Sequence, residues 1–126
     1  MRRAGQRRQG DVDEPRNVPF GEMEWTDDAP GIRARETDVE GTRWAVVEYG
    51  EGVSREEWCE EGHRGYVIEG AIEYEFDNGR EPLRAAEGEA FLLPPASLGD
   101  GAHRGRNVAS GPTRLFLIDD RHAAAL

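Results

Sequence analysis

Tyr66-Val67-Ile68-Glu69-Gly70-Ala71-Ile72-Glu73-Tyr74-Glu75-Phe76-Asp77-Asn78-Gly79 is the stretch that decides the fold class. Two short segments rich in β-branched and aromatic residues flank the turn signal Glu69-Gly70. The second segment alternates strictly, with Ile72, Tyr74 and Phe76 on one face and Glu73 and Glu75 on the other. A period of two is the signature of a half-buried strand. Asp77-Asn78-Gly79 then supplies the residues a hairpin turn requires.

The pattern repeats on both sides. Thr42–Tyr49 is apolar and β-branched (Trp44, Val46, Val47, Tyr49) and ends at Gly50-Glu51-Gly52. Leu83 leads to a turn at Glu87-Gly88, and Ala90–Leu93 is an apolar strand halted by Pro94-Pro95. Thr113–Ile118 is apolar on both faces and is expected at the centre of a sheet. No segment sustains the i, i+3, i+4, i+7 spacing of a helix. Helix is expected only as a turn near Ser54–Glu57 and in the tail Arg121–Leu126. Short strands with turn chemistry between them indicate a β-sandwich or barrel, an all-β fold.

The length, 126 residues, suits one domain with its own core. Residues 1–18 hold Arg2, Arg3, Arg7 and Arg8, then Asp11, Asp13, Glu14 and Pro15, with little apolar content. Such a segment cannot bury enough surface to order itself, so a flexible N-terminal arm is expected there. The barrel is expected over 19–120 and a short tail over 121–126. All 16 basic residues are arginine, against 26 acidic ones, for a net charge of −10. A surface so acidic repels nucleic acid and anionic membranes, so neither is an expected partner. No apolar run reaches the length of a membrane span, and no apolar stretch follows the basic N-terminus as in a secretory signal. A cytoplasmic protein is expected.

Chemistry concentrates around Glu57-Trp58-Cys59-Glu60-Glu61-Gly62-His63. The only cysteine cannot form an internal disulfide and is free for metal or redox chemistry. On an extended strand Glu57 and Cys59 share a face, and a bend at Glu60-Glu61-Gly62, eased by the glycine, lets His63 return to it. His103, beyond the Pro-Pro break, is expected from a neighbouring strand. One thiol and two imidazoles make a mononuclear site for zinc, iron or nickel, with Glu57 as a fourth ligand. Arg64, Arg104 and Tyr66 are candidates for substrate binding, against the plainer reading of surface pairing and barrel filling. Asn107 reads as a turn or supporting hydrogen-bonder, and His122 as an exposed residue. A Cys–His nucleophile is disfavoured, because it needs a third group to orient the base and because four glutamates flank Cys59.

These motifs resemble those of the cupin family, small jelly-roll barrels, or double-stranded β-helices, that hold one metal in the barrel mouth. By spacing, His63 takes the place of the family's glutamate, since Arg64 to Glu69 separate it from Gly70. Cys59 then takes the second-histidine position and Glu57 the first. Gly88-Glu89-Ala90-Phe91-Leu92-Leu93-Pro94, His103 and Asn107 resemble the second motif, with a longer interval between proline and histidine. The resemblance is closest to cupins with a Trp-Cys-x-x-Gly-His string. It implies a cupin-like barrel, one divalent transition metal and a homodimer. The function implied is a small-molecule metalloenzyme of oxygenase, isomerase or lyase type, with a non-catalytic ligand- or metal-sensing module as the alternative. No catalytic acid or base is identifiable apart from the ligands.

Overall fold

The computed structural model describes residues 14–98 and 101–122. The described residues form nine strands: β1 (Thr26–Ala29), β2 (Ile32–Val39), β3 (Thr42–Tyr49), β4 (His63–Glu69), β5 (Ala71–Phe76), β6 (Leu83–Ala86), β7 (Ala90–Leu93), β8 (His103–Asn107) and β9 (Thr113–His122). Among the described residues the only helical pieces are 3₁₀ turns at Phe20–Glu22 and Ala96–Leu98. The strands pair antiparallel in two sheets, ordered β1-β2-β3-β9-β4-β7 and β6-β5-β8.

The core lies between the sheets. Val47, Val67, Ile72 and Leu115 are fully buried there, beside Ile32, Tyr49, Tyr74, Phe91 and Leu93. Removing each such aliphatic side chain from water contributes about 1.5–3 kcal/mol, which lets a small domain cohere without disulfides. β9 sits between β3 and β4, as its two apolar faces require. The β4–β5 corner turns at Gly70, whose φ of +91° only glycine adopts without strain. A Cβ there would lie 2.3 Å from Thr113 Oγ1, so both the turn and the packing exclude a side chain.

Two local expectations are corrected. Ser54–Glu57 forms no helical turn. The segment instead runs along β8, with the Arg55 amide donating to the Gly105 carbonyl at 2.9 Å and an isolated bridge pairing Ser54 with Arg106. An open strand edge beside it offers those backbone partners, and they outweigh a lone helical turn. The expected helical tail is strand as far as His122, where β9 ends; residues 123–126 lie outside the described residues. The expected arm is partly outside them too, over 1–13. Its remainder, 14–18, lies beside the outer face of the larger sheet, where Glu14, Pro15, Arg16 and Val18 line a groove of about 490 Å³ with Trp44, Arg64 and Ile118. Among the described residues no helix is long and apolar enough to cross a membrane.

Candidate metal centre

Cys59, His63 and His103 come from three pieces of chain that meet at one end of the two sheets. Cys59 and His103 form an antiparallel bridge, the Cys59 amide donating to the His103 carbonyl at 2.7 Å and the His103 amide returning the bond at 2.9 Å. His63 opens β4 in the facing sheet, and its ring meets that of His103 edge-on, with centroids 4.8 Å apart. One ligand atom from each residue lies within 4.8 Å of the other two. The Cys59 Sγ to His63 Nε2 separation is 3.5 Å. Ligands on a tetrahedral ion with zinc-like bond lengths stand about 3.3–3.6 Å apart, so this pair already has that spacing.

The polar groups here are unevenly satisfied. His63 Nδ1 lies 2.6 Å from Asp119 Oδ1, and the other carboxylate oxygen accepts from Arg43 Nη1 at 2.7 Å. His103 is 2% exposed, and neither ring nitrogen has a hydrogen-bond partner. Its nearest ring neighbours are His63 and Tyr74, the latter edge-on at 5.7 Å. An imidazole buried without a partner carries a desolvation cost of about 1–3 kcal/mol, which a bound ion would offset. Thiolate and imidazole donors suit a borderline transition ion and not a hard cation such as magnesium. The residues therefore fit the metal that the motif resemblance implies.

Electrostatics agree with that geometry. Burial alone would raise the Cys59 thiol, but the neighbouring imidazoles of His103 and His63 outweigh it and bring the pKa down to about 6. The His103 contribution is one of proximity, since its ring stands outside hydrogen-bonding geometry. For His63, burial disfavours the charged ring, yet the bonds to Asp119 and Cys59 prevail and raise it to about 9. Asp119 is held below its ordinary value: its burial is outweighed by His63 and Arg43.

The other expected site residues fall elsewhere. Glu57 is exposed and stands outside the group of three, because the chain before Cys59 is not a strand and the assumed alternation does not apply. Gly62 is buried and does not use a positive φ, so the bend before His63 does not depend on glycine's extra freedom. Arg64 and Tyr66 alternate with His63 and Gly65 on β4 and point to the outer face, Tyr66 being 46% exposed. Arg104 alternates with His103 in the same way; it donates to Glu75 at 2.6 Å and lies over the Trp58 ring at 4.1 Å. None of the three faces the centre, so their expected role in substrate binding does not match their placement. Of the four flanking carboxylates that argued against an ionised thiol, Glu56, Glu57 and Glu60 are exposed and Glu61 is half-buried. Asn107 is a structural hydrogen-bonder at the far end of β8. The side chain of His122 lies outside the described residues.

Asp119 was the residue missed. Its signal was present: Leu115 and Leu117 face inward on β9, and the same period of two carries Asp119 to that face. A charged residue continuing an apolar strand face marks a buried carboxylate with a partner.

No protein-family model matches the chain, and no curated protein matches it. Solved structures do. KdgF from Halomonas sp. shares 24% identity at a TM-score of 0.61, over 84% of this chain and 94% of its own. An RmlC-like cupin with a double-stranded β-helix fold from Methanocaldococcus jannaschii shares 16% identity at a TM-score of 0.60, over 79% and 89%. A cupin-superfamily sugar phosphate isomerase from Silicibacter pomeroyi shares 15% at a TM-score of 0.62, over 84% and 76%. The fold of this chain is the cupin double-stranded β-helix.

Proposed function

We propose that the protein is a small-molecule metalloenzyme that binds one divalent transition metal, zinc, iron or nickel, through Cys59, His63 and His103. The observation that carries this reading is the buried, unpartnered His103 ring standing beside a thiol and a second imidazole. A bound ion would supply Lewis acidity or, for iron, redox chemistry at a position left open by three protein ligands. The chain's own part is to bring one negative charge from Cys59 and two neutral nitrogens. Tyr74, in ring contact with His103 and Phe91, keeps that end of the barrel apolar. The reaction class is oxygenase, isomerase or lyase; the sugar phosphate isomerase among the structural neighbours supports the isomerase type.

A second reading, a metal- or ligand-sensing module without catalysis, is favoured by the depth of His103 and by the position of the groove. That groove opens beside Trp44 and Arg64 on the sheet's outer face, away from the centre. A cytoplasmic homodimer belongs to either reading: a lone thiol suits a reducing compartment, and β1 and β7 end the larger sheet with edges that favour a second copy.

Elemental analysis of purified wild type beside Cys59→Ser and His63→Ala tests the metal. One equivalent in wild type, lost in both variants, supports it; wild-type loading retained in either variant removes that residue. Azide added to the cobalt-loaded protein separates the two readings. A spectral change supports an open position and the enzyme, and an unchanged spectrum favours the sensing module.

A further inference from the structure

An imidazole offers its lone pair to an ion from one nitrogen only, and the partner of the other nitrogen decides which. At His63 that decision is built into the sheet. β4 and β9 pair His63 directly with Asp119, so the carboxylate reaches Nδ1 at 2.6 Å through strand register alone. The carboxylate is itself anchored. Arg43, on the next strand, donates to Asp119 Oδ2 at 2.7 Å, and its own Nε is taken by Glu36. Asp119 is 2% exposed, so it cannot rotate toward water without losing both partners. With Nδ1–H committed to Asp119, the ring presents Nε2 toward Cys59 Sγ, 3.5 Å away. His103 has no counterpart to this device, since both its nitrogens lack partners.

We infer that Asp119, locked by Arg43, is a positioning residue that fixes the His63 ring with Nε2 facing Cys59 and His103, so that one of two histidine ligands is pre-set before metal arrives. The inference rests on the metal reading above. Supporting carboxylates of this kind govern ligand orientation and basicity, and their loss costs roughly 10–100-fold in metal affinity. The Asp119 site thus acts through His63 and touches no ion itself.

Cobalt(II) serves as the probe, with affinity from chelator competition and the visible spectrum as a readout of ligand geometry. Asp119→Asn, near-isosteric but uncharged, is expected to lose roughly 10–100-fold in cobalt affinity and to shift the d–d bands. Arg43→Gln leaves the carboxylate in place but unlocked, and is expected to shift the same bands with a smaller loss of affinity. In the zinc-loaded wild type, ¹⁵N NMR should find the remaining His63 proton on Nδ1. Wild-type affinity and spectrum in a folded Asp119→Asn protein would overturn the inference and leave the metal reading intact. If that variant does not fold, an unchanged spectrum and affinity in Arg43→Gln would overturn it equally. Failure of the wild type to bind cobalt or zinc would overturn the metal reading, and the inference with it.

Discussion

β8 begins and ends on a buried polar residue, and the two ends are opposites. At its far end Asn107 is saturated: Nδ2 donates to the Gly50 and Gly111 carbonyls, each at 2.8 Å. Its Oδ1 accepts from Thr113 Oγ1 and from the Ala109 amide, each again at 2.8 Å. At the near end His103 is as deeply buried and bonds to nothing through its ring. A fold gains stability from the first arrangement and loses it in the second. The contrast separates polar groups that close the barrel from polar groups kept open for a ligand.

Substitution at the two ends should therefore give opposite signs. Asn107→Ala takes this partner from the Gly111 carbonyl and the Ala109 amide, while the Gly50 carbonyl keeps Val53 and the Thr113 hydroxyl keeps Ala71, and should destabilise the protein by about 2–3 kcal/mol. Urea denaturation reads that loss, and metal uptake by the folded fraction should be unchanged. His103→Leu, of similar volume, removes two orphaned nitrogens and should leave the metal-free protein equally stable or about 1 kcal/mol more stable. The same variant should take up no metal. A large loss of stability in metal-free His103→Leu would erase the distinction between the ends.

pH should divide them as well. His63 is raised to about 9, so its contribution is full below its unfolded pKa and is lost as pH climbs through about 9. Cys59 is lowered to about 6, so its contribution is full above its unfolded pKa and is lost as pH falls through about 6. Between about 6.5 and 9 the two slopes oppose and largely cancel, so denaturation of the metal-free protein should show a nearly level profile there, and Cys59→Ser should expose the fall with rising pH that His63 alone gives. The Asn107 cluster has no titrating member and should add nothing to the profile. The smallest effect belongs to the outer face: Arg104→Ala removes an exposed ion pair and a stack on Trp58, and should cost no more than about 1 kcal/mol with metal binding intact.

The same division explains what the sequence could tell. β3, β5 and β7 were legible to the residue, because each carries apolar periodicity between turn residues. β2 was not, although Ile32 and Ala34 face inward: Arg33, Arg35, Glu36 and Asp38 between and after them make the segment read as surface. Cys59, His63 and His103 were legible as a group from residue type and spacing. Glu57 was misplaced because alternation was assumed where the chain forms only an isolated bridge at Cys59. The alternation on β9 carried the inward face of Asp119, but its partner His63 depended on a strand pairing between residues far apart in the chain, which local pattern does not report.

X-ray absorption of the zinc-loaded protein tests the central claim most directly. The account predicts one sulfur at about 2.3 Å and two imidazole nitrogens at about 2.0–2.1 Å around the ion. A shell of oxygen alone, with no sulfur, would contradict it.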